Sequence, residues 1–226
     1  MPEKKNKHRI LILIVAYNAE KRIENVLNKI PVDFLNKYEN EILLIDDSSA
    51  DKTFEIANKY KKDNYSINLK VVYNPVNQGY GGNQKMGYRY AIENNFDAVV
   101  LLHSDGKYAL DLIEEMVKPV ISGEADAVFG SRMIHKRAAL KGKMPFYKFF
   151  GNIILTKVLN KILKTNLSEF FSGYRAYSVE GLTRIPYERN TNDFHFDVQI
   201  IIQHLIARLK IKEISIPTYY DDEISH

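Results

Sequence analysis

An unbroken apolar run, ILILIVA at residues 10–16, stands near the start of the chain. A strand buried on both faces of a parallel sheet has such a continuous run, whereas a strand with one solvent-facing side alternates. Apolar positions then recur at helical spacing over residues 23–30, until Pro31 ends the pattern. The start of the chain therefore predicts a strand followed by a helix, the repeating unit of an α/β sheet.

The same strand-then-helix rhythm continues through the first half of the chain. Four consecutive units predict an α/β fold with a mostly parallel central sheet and helices on both faces. The predicted elements after the first unit are strand 41–45, helix 51–62, strand 69–73, helix 82–94, strand 98–102, helix 110–121 and strand 125–129.

The rhythm breaks after Gly130. Residues 131–143 are rich in Lys and Arg without a clear period and predict a loop, and residues 144–163 predict one long amphipathic helix or two shorter ones. With no internal repeat and no linker-like stretch, the sequence predicts a single domain over residues 1–226. The remaining predicted elements are a short strand or turn at 172–177, a helix at 193–209 and a strand at 211–216.

Composition excludes several classes of protein. The chain has 32 Lys and Arg against 28 Asp and Glu, a formal charge of +4 that fits an anionic substrate or an acidic membrane but does not require nucleic acid. The absence of cysteine excludes a disulfide framework, so any metal must be held by oxygen or imidazole. The basic start imitates a secretory signal without a convincing cleavage site, and no stretch reaches the ~20 apolar residues of a spanning helix. The sequence thus predicts a cytoplasmic protein that binds no nucleic acid.

Polar side chains follow each of the first four predicted strands. In open α/β sheets, ligands bind outside the carboxyl ends of the strands, so these positions are candidates for a site. Asp46 and Asp47 point to opposite sides if the strand persists, so at most one of them faces a ligand directly. The alternative is that the acidic residues only form turns and helix caps. The candidates are Tyr17, Asn18, Glu20, Asp46, Asp47, Gly79, Asn83, His103, Ser104, Asp105 and Lys107.

Two familiar nucleotide-binding motifs are incomplete. A dinucleotide fingerprint requires glycines directly after the first strand, but none follows Ala16, and Gln84 stands where the later glycine pair would need a third glycine. Residues 82–87 imitate the spacing of a phosphate loop, yet Tyr88 and Arg89 replace its Lys and Ser or Thr. Hydride transfer and ATP hydrolysis through these loops are therefore disfavoured.

His103 and Asp105 are potential metal ligands at a strand end. They stand two residues apart and lie on the same side if the extended geometry continues. A carboxylate there could hold Mg²⁺ or Mn²⁺, with diphosphate oxygens and waters as the other ligands. The alternative is a loop histidine and a helix-capping aspartate.

Two arginines are candidates for binding phosphate. The guanidinium groups of Arg132 and Arg175 could each grip two phosphate oxygens, although most arginines are only surface charges. Ser172 and Gly173 precede the second arginine and allow close approach of the backbone to an anion, while the glycine could equally form a simple bend.

Taken together, six segments resemble glycosyltransferase family 2, which has the GT-A fold, and especially its polyprenyl-phosphate (dolichyl-phosphate) sugar synthases. The resemblance covers about residues 9–220, and its specificity lies in the order and spacing of the six, since none would suffice alone. The segments are 15–20, 45–53, 79–87, 103–108, 129–132 and 172–177.

The resemblance implies an inverting transferase that moves a sugar from a UDP- or GDP-linked donor to an acceptor, here a polyprenyl phosphate. A nucleotide-binding half would cover about residues 9–130 and an acceptor-side half about residues 131–220. Such an enzyme would work on the cytoplasmic side, in peripheral contact with the membrane. Transfer to a saccharide hydroxyl, or nucleotide binding with weakened catalysis, remain alternatives, and the oligomeric state is open.

The resemblance also assigns roles to residues. His103 and Asp105 would hold the metal, Asp105 and Asp197 would be catalytic, and Asp197 would serve as base or acceptor-orienting group. A base is needed only for a hydroxyl acceptor, and Asp197 could instead be a carboxylate favoured by a helix N-terminus. Acceptor and phosphate binding would fall to Ser172, Gly173 and Arg175. Donor binding would fall to Ala16, Tyr17, Asn18, Glu20, Asp46, Asp47, Gly79, Asn83, Ser104, Lys107 and Arg132.

This sequence departs from the family at two of these positions. His103 stands where many relatives have an aspartate, and Lys107 stands where a glutamine is common. A lysine near Asp105 could repel a cation, so we expect weakened dependence on Mg²⁺ or Mn²⁺. The chain also ends soon after Pro217, where many relatives continue, which indicates a truncated or short member of the family.

Two structural expectations remain. The basic amphipathic stretch at residues 144–164 fits either a helix lying on a membrane surface or an ordinary helix that faces the core. We further expect a single cleft to gather Asp46, Asp105 and Arg175 around one sugar donor.

Overall fold

The strands form one mixed sheet. The computed structural model describes residues 7–106 and 109–217, and within these ranges seven strands pair. The strands are β1 (Arg9–Ala16), β2 (Glu39–Asp46), β3 (Leu69–Tyr73), β4 (Ala98–His103), β5 (Ala127–Ser131), β6 (Arg175–Ser178) and β7 (Ile211–Ser215). Their order is β3-β2-β1-β4-β6-β5-β7, and only β6 runs antiparallel to its neighbours in this described sheet. The predicted mostly parallel sheet is confirmed.

Helices cover both faces of the sheet, as predicted. Apolar residues of α1, α3 and α5 pack on one face, and apolar residues of α4, α8 and α9 pack on the other. The helices are α1 (Ile23–Asn28), α2 (Val32–Lys37), α3 (Thr53–Asp63), α4 (Tyr80–Glu93), α5 (Ile113–Ile121), α6 (Lys136–Lys141), α7 (Phe146–Leu163), α8 (Val179–Thr183) and α9 (Phe196–Ile206), with 3₁₀ turns at Leu110–Leu112 and Tyr187–Arg189.

Strand β1 explains the continuous apolar run. Its residues alternate between the two cores, with Ile12 in the core under α1, α3 and α5 and Leu13 in the core under α4 and α9. Both side chains are fully buried. Each such burial is worth about 1.5–3 kcal/mol of transfer free energy, so a polar residue on either side of β1 would be unfavourable.

The structure corrects the prediction for residues 131–143. They were expected to form a loop, but α6 lies within them. Ala, Leu and Lys are strong helix formers, and Ala139 packs in a small core with Met133, Met144 and Phe149. One helical turn of apolar signal is too short to show a period. Helix α2 was also missed, and Pro31 precedes it at the N-cap with φ of −63°, a value that suits the start of a helix.

Close packing of α4 on β1 requires Gly87. A Cβ at this position would lie 2.2 Å from Leu13 Cδ2, and overpacking of a core costs about 1–3 kcal/mol. We expect Gly87→Ala to lower the free energy of unfolding by that amount in a urea titration. Gly151→Ala in α7, whose Cβ would meet nothing within 4 Å, is the control and should be neutral or slightly stabilising. Wild-type stability of Gly87→Ala would contradict the packing.

Candidate active site

A cavity of about 880 Å³ lies at the carboxyl ends of β1 and β4, against the N-terminal turns of α4 and α9. This is the edge at which ligands bind in open α/β sheets. The structure therefore brings many of the sequence-predicted residues into one wall. These are Ala16, Tyr17, Asp47, Gly79, Asn83, His103, Ser104, Asp105, Arg132, Gly173 and Asp197.

Other predicted residues lie outside this wall. Asn18 Oδ1 accepts a hydrogen bond from the backbone of Ala50 (2.9 Å), and Glu20 Oε2 accepts one from the backbone of Lys52 (3.1 Å). These hydrogen bonds join the loop after β2 to the loop after β1, so both side chains stabilise the loops next to the cavity. Lys107 lies outside the described residues.

The two adjacent aspartates have different surroundings. Asp46 is fully buried, its Oδ2 has no hydrogen-bond partner, and burial raises the pKa of its carboxyl group. Asp47 lines the cavity and accepts hydrogen bonds from the backbone N–H groups of Gln78 (2.7 Å) and Gly79 (2.9 Å). Asn74 Nδ2 donates a third bond to it at 3.0 Å. Asp47 therefore holds the start of α4 at the cavity wall, and only one of the pair faces the cavity.

Gly79 is needed where α4 begins. Its φ of +80° is in the region that favours glycine, and a Cβ would lie 2.5 Å from the carbonyl oxygen of Asn192. The backbone N–H of Gly81 donates to the same carbonyl at 2.8 Å. The glycines therefore allow the segment before α9 to pack directly on the first turn of α4.

A hydrogen-bonded row joins His103, Tyr80 and Asp197. The Tyr80 hydroxyl donates to Asp197 Oδ2 (2.9 Å) and lies 2.9 Å from His103 Nε2. Burial lowers the pKa of His103, so its ring is neutral at pH 7. Because the hydroxyl proton is given to the carboxylate, the Tyr80 oxygen can accept a hydrogen bond from His103 Nε2 in the tautomer that carries its proton there.

Arg175 does not reach the cavity. Its residue is 1% exposed, and its guanidinium donates to the backbone carbonyls of Ser172 (2.8 Å), Asp197 (2.8 Å) and Phe170 (3.0 Å). Burial alone would lower the pKa of Arg175, but the Asp197 carboxylate 3.5 Å away helps to raise it above its ordinary value. Asp46, Asp105 and Arg175 were predicted to share one cleft, but only Asp105 lines the cavity. Ser172 is likewise buried behind the wall.

The wall carries both acidic and basic side chains. Asp105 and Asp197 are acidic, whereas Arg132 follows β5 and Lys148 extends from α7. Arg132 forms an ion pair with the buried carboxylate of Glu169. A phosphate-bearing ligand could therefore meet cationic groups on the β5 and α7 side of the cavity.

His103 and Asp105 suit a divalent ion that is bound to another ligand. An imidazole nitrogen with a lone pair and a carboxylate match the preferences of Mn²⁺, while Mg²⁺ favours an all-oxygen set. Within the described residues no group of three His, Cys, Asp or Glu side chains could hold a metal. An ion at this position would therefore need further ligands, such as diphosphate oxygens and waters.

The sequence reasoning missed three prominent wall residues. Tyr80 and Phe194 stack with ring centroids 5.0 Å apart, and Lys148 comes from the long helix. Tyr80 stands between Gly79 and Gly81, and Phe194 stands three residues before Asp197. No periodic pattern marks either ring, because Tyr80 is the first residue of α4 and Phe194 lies just before α9.

The solved structures identify the fold class first. Glucosyl-3-phosphoglycerate synthase from Mycobacterium tuberculosis, crystallised with Mn²⁺, uridine diphosphate and glucosyl-3-phosphoglycerate, superposes with a TM-score of 0.68 at 20% identity. The match covers 96% of this chain and 73% of that one. The fold is thus the GT-A fold of glycosyltransferases, as predicted.

The sequence comparison then gives the family. Residues 11–185 match Glycosyl transferase family 2, and the chain belongs to that family and is a glycosyltransferase. It is 29% identical to the UDP-N-acetylglucosamine–dolichyl-phosphate N-acetylglucosaminyltransferase of Methanococcus voltae, over 94% of this chain and 86% of the relative. It is 25% identical to the undecaprenyl-phosphate mannosyltransferase of Micrococcus luteus, over 96% of this chain and 85% of that relative. The predicted resemblance to polyprenyl-phosphate sugar synthases is confirmed.

Among the residues that the structure describes, no helix has both the length and the apolar character needed to span a bilayer.

Proposed function

We propose that this protein transfers a sugar from a UDP- or GDP-linked donor to a polyprenyl phosphate, with inversion at the anomeric carbon, on the cytoplasmic face of a membrane. The observation that carries the proposal is the arrangement of the cavity. Carboxylates after the end of β4 and in the first turn of α9 line the same cavity as cations from β5 and α7, and α7 also has an exposed apolar surface. This combination suits a donor diphosphate with a divalent ion and an acceptor phosphate at a lipid surface.

The donor would occupy the side of the cavity formed by β1, β2 and β4. Tyr17 is 56% exposed at the end of β1 and offers an aromatic face to a nucleobase. His103 and Asp105 would hold a divalent ion, which supplies charge stabilisation to the leaving diphosphate when it is bound. The Methanococcus voltae relative is named for a UDP-linked sugar donor, which supports this donor chemistry. That relative and the Micrococcus luteus one are named for lipid phosphates, which supports the proposed acceptor.

The sequence assigned Arg132 to the donor, but Ser172 and Arg175, predicted for the acceptor, are buried behind the cavity wall. The acceptor phosphate would therefore bind near Arg132 and Lys148. Both residues line the cavity, and guanidinium and ammonium groups suit a phosphate dianion. A phosphate oxygen is already ionised and needs no base to attack the anomeric carbon from the face opposite the leaving group. Asp197, held by Tyr80 and Arg175, would then orient the acceptor side of the site.

Helix α7 supports binding at a membrane surface. Its sequence contains no Asp or Glu, and Lys148, Lys157 and Lys161 give it a positive charge. Phe150 is 57% exposed and Ile154 is 60% exposed, in a row of outward apolar side chains. A helix with exposed apolar and lysine side chains suits the interface of an anionic bilayer. Its other exposed apolar residues are Phe146, Tyr147, Leu155, Val158 and Ile162.

We expect the double variant Phe150→Ser, Ile154→Ser to reduce flotation with phosphatidylglycerol vesicles by at least about tenfold, because each buried methylene contributes about 0.8 kcal/mol to membrane binding. A matched control replaces Tyr65 and Val32, which are 93% and 67% exposed elsewhere on the surface. The control should float like the wild type. Phe149 is not a test position, because it is buried in the core with Met144. Equal flotation of all three proteins would contradict membrane binding through α7.

The transfer reaction itself tests the proposal. Purified protein is incubated with Mn²⁺ and a panel of UDP-, GDP-, CDP- and dTDP-sugars, with farnesyl phosphate or an alkyl glycoside as acceptor. We expect a glycosyl phosphate lipid from a UDP- or GDP-sugar. Product on the glycoside alone would favour the saccharide-acceptor alternative. Nucleotide binding without product on either acceptor would favour a binding module without catalysis.

A further inference from the structure

The buried carboxylate of Glu169 accepts hydrogen bonds from Arg132, a residue that lines the cavity. Glu169 is 2% exposed, and its Oε2 accepts a hydrogen bond from the backbone N–H of Arg132 at 2.8 Å. The Arg132 side chain donates through Nε to Oε1 at 3.0 Å and also through Nη2. One carboxylate therefore fixes both the backbone and the guanidinium edge of an arginine that lines the cavity.

The same carboxylate reaches helix α7. Asn152 Nδ2 donates to Glu169 Oε1 at 2.8 Å, and Thr156 Oγ1 donates to Asn152 Oδ1 at 3.0 Å. Both α7 residues are buried, whereas Phe150 and Ile154 on the same helix are exposed. The buried face of α7 therefore combines the apolar Phe149 with polar groups that bond to Glu169 directly or through Asn152. Such buried polar groups are not expected on the inward face of an ordinary amphipathic helix.

Anchoring of the surrounding segment does not explain Glu169. Glu213 on β7 already accepts hydrogen bonds from the backbone N–H of Ser168 at 2.9 and 2.8 Å and from its hydroxyl at 2.6 Å. A second buried carboxylate adds a desolvation cost that is met only by well-formed partners. The backbone N–H of Glu169 itself donates to Glu213 Oε1 at 3.3 Å, whereas among the described contacts the hydrogen-bond partners of the Glu169 carboxylate are Arg132 and Asn152.

We propose that Glu169 is a positioning residue that holds the Arg132 guanidinium in place to bind the acceptor phosphate. Through its hydrogen bond with Asn152, Glu169 also fixes the position of this guanidinium relative to helix α7. This rests on the proposed function, in which Arg132 binds that phosphate. With Glu169 in place, the guanidinium presents a fixed geometry to the cavity instead of sampling rotamers, so less conformational entropy is lost on binding.

The test measures the affinity for farnesyl phosphate by isothermal titration calorimetry. The proteins compared are the wild type, Glu169→Gln, Arg132→Ala, the double variant and Glu213→Gln. We expect Glu169→Gln to weaken binding by about 10- to 100-fold, as misplacement of a binding group by ~1 Å can do. Glu213→Gln should lower thermal stability but leave the affinity near wild type. In the Arg132→Ala background, Glu169→Gln should have no further effect on affinity, because it acts through the arginine. Donor nucleotide affinity should be unchanged in Glu169→Gln and in Glu213→Gln.

Different outcomes separate failure of this inference from failure of the proposed function. If Arg132→Ala weakens binding and Glu169→Gln does not, the positioning role is excluded and the phosphate site stands. Tighter binding by Glu169→Gln would also exclude it, since the carboxylate would then compete with the phosphate. If Arg132→Ala binds like the wild type, the proposed phosphate site is itself wrong. If Glu169→Gln does not fold, the Asn152→Ala variant is tested in its place. We expect this variant to bind farnesyl phosphate more weakly than the wild type, and wild-type affinity would contradict the inference.

Discussion

Replacement of Asp105 by Asn is expected to lower kcat/KM for sugar transfer by on the order of 10³-fold, the loss typical of removing one group that stabilises developing charge. The variant keeps the size of the side chain and removes the negative charge from the cavity wall at the end of β4. Without it, a divalent ion on the donor diphosphate would lose its carboxylate ligand. The measurement is the initial rate of nucleotide release across a Mn²⁺ titration.

The control for this variant is Asp111→Asn, an exposed aspartate in the 3₁₀ turn that precedes α5. It changes the net charge equally and should leave turnover near wild type. If Asp105→Asn keeps wild-type activity, the proposal that Asp105 holds a metal ion needed for transfer is wrong. The Mn²⁺ titration of the wild type also tests the expected weakened metal dependence, which a tight, complete requirement for Mn²⁺ would contradict.

Replacement of Arg175 by Met is expected to lower the free energy of unfolding by about 3–5 kcal/mol, the effect of breaking a buried ion pair by removing one partner. The change leaves the Asp197 carboxylate without its cation and the carbonyls of Phe170 and Ser172 without this donor. The measurement is chemical denaturation followed by circular dichroism. Arg184→Met, at an exposed arginine after α8, is the control and should cost little.

The same variant separates two interpretations of Arg175. From the sequence, an arginine after Ser172 and Gly173 was predicted to bind the acceptor phosphate. In the structure its guanidinium ties the segment before β6 to the start of α9. A stable Arg175→Met protein with selectively weakened phosphate binding would restore the direct role and contradict the structural one.

The sequence predicted the fold well because the central strands β1 and β4 are buried on both faces. The apolar run of β1 and the repeated strand-helix units define a parallel sheet, and the strand-end rule then locates the cavity. The rule selects positions but gives no side-chain direction. Asp46 and Asp47 are adjacent in the sequence, yet only Asp47 lines the cavity. Direction depends on where the chain turns after the strand, which composition and period do not encode.

Helix α7 shows a second limit. Period alone assigns apolar residues of a helix to the core and polar residues to the solvent. Here the buried face includes Asn152 and Thr156, while Phe150 and Ile154 are exposed. The reason is the buried carboxylate of Glu169, a partner distant in sequence that no local pattern could reveal. The sequence therefore left the membrane-facing and core-facing interpretations equally open.

A crystal structure with Mn²⁺, the nucleoside diphosphate that most raises the melting temperature and farnesyl phosphate tests the central claim most directly. That claim is that donor and acceptor share the cavity between Asp105 and Arg132. We predict an anomalous manganese peak beside Asp105 with the diphosphate bound to it, the base near Tyr17, and the lipid phosphate within hydrogen-bond distance of Arg132. A nucleotide bound outside this cavity, or a lipid phosphate bound away from Arg132, would contradict it.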